Sequence, residues 1–397
     1  MHLDAGALTD FARGCAVLGS GGGGAVAATY AVAEYAIEEC GPVRVVSPAT
    51  LDADALVMPL STLGTSAVAA ERIGGRGEPA RLRDYVERVH GRPVAAVMSG
   101  EIGGLNGCLA VAWAARLGLP LLDADSMGRA FPRMDQNVLE LAGVRPGPAV
   151  LADERGRTLV VDRVDGVHYE LLARAAVDVL GGRAIASDYP LTAGQAAAHA
   201  VQGTVTQAVC IGRRLAETVD GSSGTHSAAT PTGPAGPRGP GAPPMSPAHQ
   251  ARSDAASRLP VSRLTAKVSS VQRMTHADGG GTIEVLLEGI DTDTGRLVLV
   301  EARSEFVVAL EDGRPLALVP DVIALVDVAT GEPVPAEEVR YGLRVRLLTL
   351  PSAPVWYTPE GLRLAGPEAF GLHGLGAVPH QGSAAGNPSA GTPGAAA

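Results

Sequence analysis

The sequence predicts an α/β N-terminal domain joined to a smaller, mainly β C-terminal domain, and three features lead to that reading. Up to about residue 205, short apolar runs alternate with helical stretches, the rhythm of a sheet with crossover helices. Between 221 and 258 the composition turns to Gly, Pro, Ser, Ala and Thr, with almost no large apolar side chains to pack. Beyond that stretch, β-branched runs alternate with turn signals. The expected organisation is an α/β domain over 1–220, a disordered linker over 221–258, a β-rich domain over 259–375 and a disordered tail over 376–397.

Taken in order, Cys15-Ala-Val-Leu18 reads as a short buried strand. It runs into Gly19-Ser20-Gly21-Gly22-Gly23-Gly24, five glycines in six residues. Ala25 to Glu39, rich in Ala and carrying Tyr30, Val32, Tyr35 and Ile37, reads as a helix. A glycine loop feeding a helix brings backbone amides close to a ligand and adds the positive end of the helix dipole. The spacing is neither a dinucleotide fingerprint nor a P-loop, since no Lys-Ser/Thr follows. Val43–Val46, Ala55–Pro59, Val94–Met98 and the run starting at Leu119 read as strands. Glu78–Val89 reads as an amphipathic helix, and another opens near Glu101 and ends near Leu117. Residues 149–163 resemble a hairpin, followed by helices over Tyr169–Leu180 and Gly194–Val219. After the linker, strands are expected over Val261–Val271, Thr282–Leu287, Leu297–Leu310, Leu316–Val328 and Leu343–Leu350.

Composition narrows the functional classes. At 46% hydrophobic the chain can bury a sizeable core, but only 3% is aromatic and the formal net charge is −10. Few stacking surfaces and no basic excess argue against nucleic-acid binding. Lys267 is the lone lysine, so a Schiff-base mechanism has little to work with. Cys15, Cys40, Cys108 and Cys210 are far apart, lack Cys-x-x-Cys spacing and read as buried thiols of a reducing compartment. With no signal peptide and no long apolar segment, a cytoplasmic location and no membrane association are expected.

Three clusters place polar groups where apolar strands end. The first is the glycine loop, with Ser20, Gly21, Gly22 and Gly23 as candidate substrate-binding residues. The second is Ser99-Gly100-Glu101-Ile-Gly103-Gly104-Leu-Asn106, a carboxylate and an amide among glycines. The third is Asp123-Ala-Asp125-Ser-Met-Gly128-Arg129, in which a strand would turn both acids to the same side. Carboxyls held close have split proton affinities and can shuttle protons in a hydrolysis that needs no metal. Glu101, Asp123 and Asp125 are therefore the candidate catalytic residues, with Asn106 and Arg129 orienting the substrate. No cofactor is implied, and a metal ion is left open without specified ligands.

The stretches Leu18-Gly-Ser-Gly-Gly-Gly-Gly24, Glu101-Ile-Gly-Gly-Leu-Asn106, Asp123–Pro132, Pro320–Pro333 and Tyr341-Gly-Leu-Arg-Val345 are similar to those of the S-methyl thiohydantoin desulfurase-like family, associated with hydantoinase- and oxoprolinase-type proteins. The chain departs from the usual pattern at Ala25-Val26, where a polar pair commonly follows the loop, and at Arg133, where an acid is common. The resemblance implies an α/β domain followed by a β-rich one. Its activity would be hydrolysis of a small thiohydantoin- or hydantoin-type heterocycle at the carbon bearing an S-methyl group, releasing methanethiol. The alternative is a non-catalytic ligand-binding or regulatory partner of a hydantoinase-type enzyme. The expected partner is thus a small heterocyclic substrate, and the sequence leaves open a homo-oligomer or a hydantoinase-type partner.

Overall fold

A computed structural model of the chain describes residues 1–64, 68, 72, 74–220, 254, 258–275 and 281–375. The expected linker, apart from residues 254 and 258, and the expected tail lie outside the described residues. The first structural departure comes at the start. Cys15–Leu18 is not a strand but the last turn of helix α1 (Ala5–Leu18). Asp4 caps this helix by accepting from the Ala7 amide at 2.9 Å. Leu8, Phe11, Ala12, Cys15 and Leu18 form one buried stripe at helical spacing. Four apolar residues fit a strand or a helical turn equally well, and the period that decides lies upstream of them.

The glycine loop therefore links α1 to α2 (Val26–Cys40), helix to helix. The following strands form a ten-stranded mixed sheet. It contains β1 (His2–Leu3), β2 (Val43–Val46), β3 (Leu56–Gly64), β4 (Val94–Ser99), β5 (Leu121–Asp125), β6 (Ala149–Ala152), β7 (Thr158–Val161), β8 (Arg183–Ser187), β9 (Leu191–Thr192) and β10 (Val201–Gln202). The main path runs β1-β2-β5-β4-β3-β8-β6-β7, with β9 added on β3 and β10 on β5. β2, β5, β4 and β3 are mutually parallel. Their crossovers include α3 (Glu78–His90) and α4 (Leu105–Leu117), so the ends of β4 and β5 open on one edge, where α/β sheets place ligands. The remaining helices of this part are α5 (Val138–Leu141), α6 (Gly166–Leu180), α7 (Ala193–His199) and α8 (Thr204–Asp220). The single helix expected over Gly194–Val219 is broken at Ala200–Gly203, where β10 pairs with β5.

The second sheet is eight-stranded and wholly antiparallel, in the order β15-β14-β13-β12-β11-β18-β16-β17. Its strands are β11 (Val261–Thr275), β12 (Gly281–Gly289), β13 (Leu297–Arg303), β14 (Glu305–Glu311), β15 (Arg314–Leu318), β16 (Val322–Asp327), β17 (Pro333–Val334) and β18 (Arg344–Leu350). Two expected strands are in fact pairs. Leu297–Leu310 folds back at Ser304, and Leu316–Val328 is interrupted at Val319-Pro320-Asp321, where proline offers no ladder donor. A short helix, α9 (Pro359–Ala365), closes the described chain on that side.

The two sheets share a core. Val322, Ala324, Val326, Leu348 and Leu350, from β16 and β18, pack in the cluster that holds Leu8, Phe11, Cys15 and Leu18 of α1. Cys15 and Cys108 are buried, but Cys40 is exposed and Cys210 half-buried, so the expectation of four buried thiols holds for two of them. Burial and the neighbouring Cys108 thiol push Cys15 well above the ordinary thiol range, which suits packing rather than attack. Among the described residues no helix is long and apolar enough to cross a membrane.

Candidate functional site

The glycine loop is where the two domains lock. The Ser20 carbonyl accepts from the Phe306 amide at 2.6 Å, and the Gly21 carbonyl accepts from Ala336 at 2.8 Å. A Cβ on Gly21, whose φ is +79°, would lie 2.3 Å from the Phe306 ring, and one on Gly22 would lie 2.5 Å from Glu305 Oε1. The glycines thus let the β13–β14 tip approach the loop backbone. On its other side the loop meets the second cluster, because the Gly104 amide donates to Cys15 O at 2.8 Å and Leu105 donates to Gly23 O at 2.9 Å. The third cluster joins through Ala130, whose amide donates to Leu18 O at 2.9 Å. All three expected segments converge.

Their side chains divide differently from the expectation. A cleft of about 770 Å³ is lined by the glycine loop, β3 from Ser61 to Gly64, Glu101, Asn106, Phe131 and Glu305, with Arg133, Arg174, Glu337 and Glu338 also on its walls. Glu101 keeps part of its surface open to the cleft. Asn106 Nδ2 donates to Glu101 Oε1 at 2.6 Å, while Asn106 Oδ1 accepts from the Thr62 amide at 2.9 Å. Burial and the facing Glu305 push Glu101 up to about 8, against the pull of the Asn106 amide.

Glu305 was not singled out from the sequence, yet it is the other carboxyl of the cleft. It opens β14 directly after Ser304, which turns the chain with φ +78°. It is 3% exposed, its Oε2 makes no hydrogen bond, and burial pushes it up to about 7 while the Arg129 guanidinium pulls it down. A signal existed: Glu301, Arg303, Ser304 and Glu305 interrupt an apolar run, more than one buried strand would tolerate.

Four expected site residues serve inside the fold instead of lining the cleft. Asp123 accepts from the Thr206 amide at 2.9 Å and the Thr206 hydroxyl at 2.6 Å, which ties β5 to α8. Asp125 accepts from the amides of Ile102 at 2.8 Å, Met127 at 3.2 Å and Gly128 at 2.8 Å, so it pins the loops after β4 and β5. Ser20 is buried, its hydroxyl donating to Ile323 O at 3.0 Å and accepting from Ile323 N at 3.1 Å. Arg129 is buried beside the cleft floor, donating through Nε to Ala130 O at 2.8 Å and through Nη1 to the carbonyls of Pro320 and Asp321. Glu101, Asn106, Gly21, Gly22 and Gly23 do line the cleft. Among the described residues no group of three or more His, Cys, Asp or Glu could hold a metal ion.

Comparison with known proteins follows the same two-part division. No curated protein matches the chain. A crystal structure of a protein from Chromobacterium violaceum is similar in fold, with a TM-score of 0.69 at 22% sequence identity over 95% of this chain and 98% of that one. The model of the S-Me-THD-like N-terminal domain matches residues 6–163, and that of the S-Me-THD-like C-terminal domain matches residues 164–379. The boundary between these models falls before α6, so β8, β9 and β10 of the first sheet are counted with the C-terminal part. With both halves matched in order and nearly end to end, this chain belongs to the S-Me-THD-like family.

Proposed function

We propose that the protein is a hydrolase of S-methyl thiohydantoin-type rings, releasing methanethiol and leaving a hydantoin. The observation that carries this reading is the pairing of Glu101 and Glu305, one carboxyl from each domain, at the lining of a single cleft. Both are pushed up toward neutrality, to about 8 and about 7, where a carboxyl can give or take a proton at working pH. In the reaction, water oxygen bonds to the ring carbon bearing sulfur, and the carbon–sulfur bond breaks. Of the two water protons, one ends on the departing sulfur and the other on the adjacent ring nitrogen. The two carboxyls carry these transfers, one as base toward water and one as acid toward the leaving group.

The glycine loop supports the charge that develops on the ring. The Gly22 amide is spent on Gly19 O and that of Gly23 on Glu305, but α2 begins at Val26 with no side-chain cap, and Gly24 and Ala25 line the cleft. Uncapped amides at a helix start favour negative charge. The reading is tested by giving the purified chain an S-methyl thiohydantoin and following free thiol with a chromogenic disulfide. Release by the unsubstituted chain that Glu101→Gln and Glu305→Gln each reduce at least a hundredfold supports it. Binding of the ring without thiol release would favour a ligand-binding partner of another enzyme.

A further inference from the structure

We propose that a second cavity beside the cleft is the subsite for an apolar side group on the ring, so that preferred substrates carry an aliphatic or aromatic substituent rather than a charged one. The proposal rests on the hydrolytic reading for the identity of the ring but not for its test. The cavity, of about 350 Å³, lies where α1 and the start of α2 meet residues 332–338 of the second domain. Gly21, Gly22, Gly24 and Ala25 line both this cavity and the cleft, so the backbone of the glycine loop is the partition between them. Pro335 and Glu338 also border both, and the Ala336 amide ties this rim to Gly21 O at 2.8 Å. Glu305 stands directly against the partition, since a Cβ on Gly22 would lie 2.5 Å from its Oε1. A ring held beside Glu305 therefore has only the rim at Gly24 and Ala25 between its side group and the second cavity.

The walls decide which side group fits. Ala12 and Ala16 of α1, Val26 and Ala27 of α2 and Pro333 of β17 offer hydrocarbon surface, joined by the side chain of Tyr30. The polar groups among them are spent on one another. Arg13 donates to Glu332 Oε1 through Nε at 3.0 Å and Nη2 at 2.6 Å, which neutralises the cation of the cavity. The Tyr30 hydroxyl shares a hydrogen bond with Thr9 Oγ1 at 3.2 Å and donates to Glu34 Oε1 at 3.0 Å. Glu338, exposed on the shared rim, adds negative charge that opposes an anionic side group. A pull in the other direction comes from the uncapped start of α2, and a carboxylate-bearing ring is included in the test for that reason. Concave apolar walls with their polar groups already paired gain most from a hydrocarbon group that displaces water.

Binding of the finished ring is measured, so no turnover is needed. Hydantoins carrying methyl, isobutyl, benzyl or carboxyethyl at the tetrahedral ring carbon are titrated into the full chain by calorimetry. The benzyl and isobutyl rings should bind about tenfold or more tighter than the methyl ring, and the carboxyethyl ring no tighter than the methyl one. Ala27 and Ala16 line the second cavity but not the cleft, so the larger side chains of Ala27→Trp and Ala16→Leu take up its space. In each variant the preference for benzyl over methyl should fall by about threefold or more. Ala27 is exposed on α2, which keeps Ala27→Trp informative even if Ala16→Leu does not fold. A carboxyethyl ring bound more tightly than the benzyl ring overturns the proposal, as does an unmoved preference in Ala27→Trp or a chain that binds none of the four rings. If the rings bind in the expected order but an S-methyl thiohydantoin releases no thiol, the hydrolytic reading fails and the subsite stands. If thiol is released with equal kcat/KM from methyl- and benzyl-bearing rings, the subsite fails and the hydrolytic reading stands.

Discussion

Asn106 holds Glu101 from the first turn of α4, donating through Nδ2 to Glu101 Oε1 at 2.6 Å while the Thr62 amide of β3 fixes its other end at 2.9 Å. The carboxyl is thereby oriented by an amide that is itself anchored to the cleft wall. That donor also opposes the upward push of burial on Glu101. In Asn106→Ala the lost bond, worth about 1 kcal/mol, should raise Glu101 by about one pH unit. The limb of kcat/KM that reports Glu101, alkaline if it serves as the acid and acidic if it serves as the base, should move up by that amount. Thiol-release profiles from pH 5 to 10 provide the check, and a limb that stays in place would show that Asn106 does not govern Glu101.

How much of this was legible beforehand depends on whether the deciding contact is local. β4 and α3 carry their own periodicity, and the meeting of the segments after β4 and β5 follows from parallel neighbours sharing an edge. The glycine loop instead ends a helix and joins them through the Gly104, Leu105 and Ala130 amides. Asp123 and Asp125 share the register that suggested a proton-transfer pair, but register says nothing about amides offered by other loops. Thr206, Ile102, Met127 and Gly128 claim both carboxylates. Glu305 was hidden for the converse reason, because its role depends on a reversal at Ser304 and on docking against Gly22 more than 280 residues away in sequence. Cys15–Leu18 misled because a short window lacks a period of its own.

The Ser20 hydroxyl bridges the domains. It gives one hydrogen bond to Ile323 O at 3.0 Å and takes one from Ile323 N at 3.1 Å, all in buried surroundings. Ser20→Ala leaves the Ile323 amide without this acceptor, a cost of about 1–3 kcal/mol. The denaturation midpoint should fall accordingly, with an unchanged slope against denaturant if the two domains unfold together. A variant as stable as the parent would show that the hydroxyl is dispensable to the interface.

Stability should also carry the mark of the two cleft glutamates. Their folded values, about 8 for Glu101 and about 7 for Glu305, lie above the ordinary 4.5, so the folded chain binds more protons than the unfolded one between those limits. Stability from these groups is therefore fully present below pH 4.5 and is lost as pH rises through 7 and 8. Because Glu101 keeps an open side, its share is discounted to about 2–3 kcal/mol rather than the full linkage value. Glu101→Gln and Glu305→Gln, which cannot ionise, should each flatten the decline in melting temperature between pH 5 and 8. A decline as steep in both variants as in the parent would place the titrating groups elsewhere.

The cleft wall formed by the end of β3 depends on an ion pair behind it. Gly64 of β3 is registered against Arg183 of β8, and Arg183 Nη1 meets Glu78 Oε1 of α3 at 3.0 Å, with both side chains almost wholly buried. Removing one partner of such a pair strands the other charge in a low-dielectric interior, which costs about 3–5 kcal/mol, whereas replacing both with apolar groups of similar size removes the desolvation penalty as well. Glu78→Ala should therefore lower the denaturation midpoint sharply, and Glu78→Met with Arg183→Met together should lower it much less than the two single changes summed. Because β3 continues from Gly64 back to Thr62, whose amide anchors Asn106, the single variant should also weaken thiol release at temperatures where it remains folded. A double-mutant cycle decides between the alternatives: additive single changes would mean that the pair contributes nothing beyond its separate packing, and the wall would have to be held by the strand pairing alone.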